Sequence, residues 1–254
     1  MPISCHPALL TFLDRLLLRS ALSEKEQQAV LKLPSKEQSF KARRDVVLPG
    51  DAVNTICIVA SGVVGRFEQT RDGSRQTTAF YILGDACDLH SLVAPIAGSG
   101  ITALSDCVIL RISHEDLWAA TDRYPNLAIA LWRDTIVDAS ILAQWVVNVG
   151  RRDAQARVAH LFCEMGMRAE HAGLGLRERY DLPVTQVRIA ESLGLTPVHV
   201  NRMLQGLRDA GAVSMKNSVV EVHDWKLLAS IADFVPTFLL YPEPTYAPKL
   251  RHSA

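Results

Sequence analysis

Val184-Thr-Gln-Val-Arg-Ile-Ala-Glu-Ser-Leu-Gly-Leu-Thr-Pro-Val-His-Val-Asn-Arg-Met-Leu-Gln-Gly-Leu-Arg208 reads as two short amphipathic helices joined at Gly194. Thr185 can cap the first helix with its hydroxyl, and Ile189, Ala190 and Leu193 then fall on one buried face. Ala190 is small where two helices cross closely. Gly194 supplies the permissive backbone of the turn. Thr196 is a second cap, and Pro197 suits a first helical position because the N–H it lacks has no partner there. The second helix would bury Val200, Met203, Leu204 and Leu207, leaving Val198, His199, Asn201, Arg202 and Gln205 to face outward. The pattern is a helix-turn-helix, whose expected partner is double-stranded DNA.

The next residues narrow this to a winged helix. Ala212–Met215 and Val219–Val222 alternate as two short strands around Lys216-Asn217-Ser218, and Lys216 at that tip is placed to meet a phosphate. Thr185, Gln186, Thr196, Val198, His199, Asn201, Arg202 and Lys216 form the expected DNA-contacting set.

The chain has 254 residues, 48% of them hydrophobic, enough for one large or two modest cores. Its formal net charge is zero; Lys plus Arg against Asp plus Glu runs 14 to 16 in residues 1–150 and 11 to 10 in residues 151–235. DNA affinity must therefore come from a local patch rather than from overall charge. Cys5, Cys57, Cys87, Cys107 and Cys163 are scattered and form no Cys-x-x-Cys pair, which fits reduced thiols and a cytoplasmic protein. The start has no basic leader, and Leu9–Leu18 is interrupted by Asp14 and Arg15, so neither a signal peptide nor a membrane span is expected. The eight histidines are dispersed, and no Gly-rich phosphate loop or catalytic triad order is present, so the reading is not an enzyme.

Upstream, Ala8–Leu18 and the segment from Ser23, where Ser23 and Glu26 make a capping box, predict two short helices. Between about Ser39 and Ser113 the strand-like runs Val46–Leu48, Thr55–Val59, Val63–Phe67, Thr77–Ile82 and Val108–Ile112 are punctuated by Gly-containing turns, as in a small antiparallel roll. A long helix is predicted from Pro125 to about Val149. Within it Ala128, Trp132, Thr135, Ala139, Leu142, Val146 and Val149 keep a 4-3-4-3-4-3 spacing, the seam of a self-pairing helix. Trp132, Thr135, Ala139, Leu142 and Val146 are thus the expected homodimer interface. A hinge at residues 150–153, a helix over 154–171, a surface loop over 170–179 and an extended tail from Pro236 complete the outline. The fold class is α+β. Its expected divisions are 1–124 (helices and sensor roll), 125–150 (dimer helix), 151–235 (winged helix) and 236–254 (tail).

This order of parts resembles the Crp/Fnr superfamily of bacterial transcription regulators over residues 40–235. The resemblance rests on Val47–Asp51, Ile58–Gly62, Leu83–Asp85, Asp153 to Ala159 and Leu182–Arg202. It implies a homodimer on a two-fold symmetric site, contacts to RNA polymerase, and guanine or phosphate recognition by Arg202. Where the family often has a recognition-helix Glu this chain has Val198, which cannot accept from cytosine and suits a thymine methyl.

The roll departs from cyclic-AMP-binding relatives. The ribose-contacting Gly-Glu and the phosphate-binding Arg-Ser or Arg-Thr pairs are replaced by Gly84–Ser91 and Ala94–Ile101, with no arginine between Arg75 and Arg111. A buried phosphate without a cation is costly, which argues against cyclic AMP. Only Cys5 lies where the family's iron–sulfur cluster needs several cysteines. Haem stays an open alternative through Cys87 and His90. Cys87, Asp88, His90, Ser91 and, on the long helix, Leu142 are the effector candidates. The runner-up is a small-molecule sensor whose winged helix contacts protein instead of DNA.

Overall fold

The computed structural model describes residues 5–241. Helices α1 (Pro7–Leu17) and α2 (Glu24–Leu31) come first, and Ser23 and Glu26 form the predicted capping box. The roll follows: β1 (Lys36–Phe40), β2 (Asp45–Val47), β3 (Thr55–Ser61), β4 (Val64–Gln69), β5 (Arg75–Tyr81), a 3-10 turn (Leu89–Leu92), β6 (Gly100–Ala103) and β7 (Cys107–Ser113). They pair antiparallel in the orders β1-β7-β3 and β2-β6-β4-β5. Gly62 shows why the turns need glycine: at φ +78° a Cβ would stand 2.3 Å from the Asp106 carbonyl oxygen. Two strands of the roll escaped the sequence reading. β1, Lys-Glu-Gln-Ser-Phe, is almost wholly exposed and has no apolar alternation, and the four residues of β6 are buried on both faces.

Next come α3 (His114–Arg123), the long helix α4 (Pro125–Arg151) and α5 (Ala154–His171), which Asp153 caps by accepting from the Ala156 N–H at 2.9 Å. α4 buries Leu127, Ala130, Leu131, Asp134, Val137, Ile141, Trp145 and Asn148 within its own molecule. Trp132 (69% exposed), Val146 (61%), Ile129 and Ile136 are left bare. Thr135 and Leu142 are half-buried, so the open stripe is turned slightly from the predicted seam, toward Ile136 and Ala143. The cause is the second apolar face: Val137 and Ile141 are drawn into the core and rotate the helix with them.

The C-terminal part contains β8 (Gly175–Leu176), β9 (Arg179–Asp181), α6 (Gln186–Leu193), α7 (Pro197–Asp209), β10 (Val213–Lys216), β11 (Val219–Val222) and α8 (Trp225–Ala232). The 170–179 segment is not simply a loop. It leads into a hairpin that widens the wing into a four-stranded sheet, β10-β11-β9-β8, anchored by Tyr180, whose buried hydroxyl donates to the Phe162 carbonyl at 2.7 Å. Nor is the chain extended from Pro236. Pro236–Leu239 makes a 3-10 turn and buries Phe238 and Leu239, because the turn packs on α4 and Phe238 reaches α5, where His160 stacks on it. The remainder of the expected tail, 242–254, lies outside the described residues.

One hydrophobic cluster runs through both halves. Val63, Phe80, Ile82 and Leu104 of the roll meet Val137, Ile141 and Trp145 of α4 and Val158, Phe162 and Met165 of α5. Phe80 and Trp145 pack edge to face at 5.3 Å.

Candidate nucleic-acid interface

Every backbone device predicted for the helix-turn-helix is in place. The Thr185 hydroxyl accepts from the Arg188 N–H at 3.4 Å, and that of Thr196 from the His199 N–H at 3.2 Å. Gly194 ends α6 in the left-handed conformation, φ +63° and ψ +37°. Ile189, Ala190, Leu193, Val200 and Leu207 are fully buried, whereas Met203 and Leu204 are only half-covered. Arg157 on α5 clamps the hairpin from beneath, donating from Nη1 to the Leu193 carbonyl at 3.1 Å and from Nε to that of Arg152 at 2.9 Å.

What remains uncovered is one face of α7. Val198 is 81% exposed, the most of any large apolar side chain among the described residues. Asn201 and Arg202 are exposed, and His199 is half-buried beside them. Among the described residues no carboxylate pairs with Arg202, whereas Arg188 is held by Glu191 at 2.6 Å and Gln205 by Asp209 at 2.7 Å. A side chain bonded within its own protein must break that bond to read a base; Arg202 has none to break. Gln186, Thr185 and Thr196 are exposed at the two helix starts, where free N–H groups favour phosphate. Lys216 is exposed at the wing, and Asn217 (φ +51°) and Ser218 (φ +66°) build the two-residue turn that projects it.

The roll encloses a cavity lined by Val47, Val53, Arg66, Cys87, Asp88, His90, Ser91, Ala97, Ser99 and Ile101. It therefore gathers four of the five effector candidates; Leu142 is not among its lining. The free volume is about 10 Å³, room for about one water molecule. Burial pushes the Cys87 thiol well above its ordinary range.

Sequence reasoning missed the cation here. Arg66, on β4, reaches the cavity while its Nη2 contacts both the Tyr81 hydroxyl and the Asp138 carboxylate on α4. Asp138 in turn accepts from the Tyr81 hydroxyl at 2.9 Å, so the roll is bonded to the long helix through these three residues. The alternation of β4 was the available signal. Asp88 is the odd group: Oδ1 accepts from the Cys57 N–H at 2.7 Å, Oδ2 has no partner among the described residues, and burial raises its pKa to about 6. Ser91 Oγ lies 3.0 Å from His114 Nε2, and burial lowers the pKa of half-buried His90. Among the described residues no three His, Cys, Asp or Glu side chains are placed to hold a metal ion.

Comparison with known proteins matches this geometry from both ends. A family model described as a Crp-like helix-turn-helix domain matches residues 156–231, and one described as a cyclic nucleotide-binding domain matches residues 37–124. The chain is 29% identical to the nitrogen fixation regulation protein FixK of Azorhizobium caulinodans over 178 residues, 70% of this chain and 71% of that protein. It is 24% identical to the transcriptional activator protein FnrL of Cereibacter sphaeroides, covering 84% of this chain and 87% of that one. In three dimensions it resembles FixK2 from Bradyrhizobium japonicum, with a TM-score of 0.71, 24% identity and coverage of 78% and 98% of the two chains. No helix among the described residues is long and apolar enough to cross a membrane.

Proposed function

This chain belongs to the Crp/Fnr family of transcription regulators, and from that premise we propose that it acts as a cytoplasmic homodimer reading a two-fold symmetric DNA site. The observation that carries the reading is the pairing of an uncovered Arg202 and Val198 on a doubly capped α7 with an exposed Lys216 on the adjacent wing. Arg202 is the main anchor, positioned for a guanine edge; Val198 meets a thymine methyl; Asn201 and His199 add polar contacts. Thr185, Gln186, Thr196 and Lys216 hold phosphates and set the register. Two copies pair through the open stripe of α4, with Trp132, Ala139 and Val146 at its centre and Thr135 and Leu142 at its border. The assembled dimer then engages RNA polymerase. An effector other than cyclic AMP acts at the roll, on Cys87, Asp88, His90 and Ser91 beside Arg66, with Leu142 on the neighbouring long helix.

The test is a selection on random duplexes followed by affinity measurement. A palindromic sequence should be enriched, and Arg202→Ala should weaken binding to it by about 1–3 kcal/mol while relaxing the preference at one position of each half-site. Failure to enrich any palindrome, with Arg202→Ala binding as the parent does, would leave the wing and helix as a protein-binding surface.

A further inference from the structure

The largest buried polar cluster that the DNA-reading surface does not use lies between the roll and α5. Arg168, on α5, donates from Nη2 to Asp85 Oδ2 at 2.6 Å and to the Phe80 carbonyl at 2.7 Å, and from Nη1 to Glu164 Oε1 at 2.7 Å. Glu164 Oε2 takes the Trp145 Nε1–H at 2.8 Å. Asp85 Oδ1 is bonded to Arg15 Nη1, and Arg15 Nε reaches Asp134 on α4 at 2.7 Å. The side chains of Asp85, Asp134, Glu164 and Arg168 are each at most 4% exposed, and that of Arg15 is 11% exposed. The cluster therefore ties four parts of the chain, α1, the Gly84-Asp85 turn, α4 and α5, at one buried point.

A roll and a winged helix that merely shared a linker would need none of this. Apolar contacts such as those of Phe80 and Met165 favour burial but tolerate sliding; charged groups out of water are stable only at one geometry, since any displacement leaves an unpaired buried charge. We infer that the Asp85–Arg168 cluster is a lock that fixes the DNA-binding unit against the roll in its DNA-competent orientation, with residues 151–153 as the hinge it restrains. A second contact agrees with that orientation: Gln76 of β5 donates to the Ser192 carbonyl at the end of α6 at 3.0 Å, while Val198, Asn201 and Arg202 stay uncovered on the next helix. The same short turn that holds the lock at Asp85 lines the roll cavity with Cys87 and Asp88. A change inside the cavity thus has a path of three residues to the lock. The inference rests on the regulator reading and adds the element through which the roll governs it.

If the lock opens, each unit samples orientations in which its recognition helix cannot reach its half-site, and apparent affinity falls with the competent fraction. The experiment uses the full chain. Asp85→Asn keeps the shape and one oxygen for the Ile82 N–H and Arg168, but it turns an amide nitrogen toward Arg15 and removes the negative charge between the two guanidinium groups, and should lower affinity for the selected palindrome tenfold or more. Hydroxyl-radical footprinting without DNA should show Phe80 and Met165 oxidised at least threefold faster, while Tyr180, buried inside the DNA-binding unit, stays protected. Arg168→Lys is the second variant, should Asp85→Asn fail to fold. Interface residues as protected as in the parent, unchanged DNA affinity, or Tyr180 rising in step with Phe80 would each overturn the lock. A parent that binds no duplex at all would sink the regulator reading instead, and the footprint would still report on the interface.

Discussion

Replacing Asp88 by Asn should stabilise the unliganded protein at neutral pH. The carboxylate is 5% exposed, one oxygen has no partner, and its pKa stands near 6 against an ordinary 3.8. A folded-state pKa above the unfolded one means that the group's contribution is intact below about pH 3.8 and is lost as pH rises through about 6. At pH 7 the full difference of about two units costs about 3 kcal/mol; at pH 4 the cost is under about 1 kcal/mol. Asn keeps an oxygen for the Cys57 N–H without the charge. Its gain should therefore be largest at pH 7, up to about 6–12 °C in Tm for a chain of this size, and should fade toward pH 4. Thermal unfolding followed by circular dichroism at pH 4, 5, 6 and 7 measures it. An Asn variant less stable than the parent at pH 7, or a difference that does not change between pH 4 and 7, would refute the reasoning.

Other outcomes are open to equally direct measurement. His160 is fully buried, and burial, helped by Arg152, lowers its pKa to about 3. Its contribution is thus present above pH 6.5 and is lost as pH falls toward 3, by at most ~5 kcal/mol. His160→Phe, which keeps the stack on Phe238, should flatten the acid limb of a stability–pH profile at a cost of about 1 kcal/mol near pH 8, where the Asn148 amide nitrogen loses its acceptor while Oδ1 keeps Arg152. Trp132→Asp combined with Val146→Asp should give a monomer by light scattering with the fold intact by circular dichroism; a persistent dimer places the interface elsewhere. Lys216→Ala should weaken binding about equally on all duplexes and reduce the slope of log K against log salt by about 0.9. Cyclic AMP, for which the roll lacks the Gly-Glu and the Arg-Ser or Arg-Thr pairs of the relatives that bind it, should shift neither Tm nor DNA affinity.

The helix-turn-helix was legible residue by residue because its signals are local. Caps, a left-handed glycine, Pro197 at a helix start and an apolar face of period 3.6 each act within a few residues, and the structure places each where the spacing put it. The capping box at Ser23 follows the same logic. Strands whose faces are both buried or both wet carry no alternation, so β6 and β1 gave no signal. The β8–β9 hairpin was hidden for a related reason: Gly175–Leu176 is too short to show a period, and it is strand only because Tyr180 is drawn onto α5.

By itself the sequence determined the kind of module at each point along the chain and which side chains of the helix-turn-helix stay uncovered at Val198, Asn201 and Arg202, since capping, periodicity and turn chemistry are properties of neighbours. Only the tertiary structure decided that Arg66 enters the roll cavity, that the cavity is nearly filled, which stripe of α4 stays open, and that Arg15, Asp85, Glu164 and Arg168 meet. Direct contacts of that cluster join residues 83 positions apart (Asp85 to Arg168) and 119 apart (Arg15 to Asp134). No local rule sets such distances; they follow from how the buried faces of the roll, α4 and α5 fit together, with the charges of this cluster brought against opposite ones.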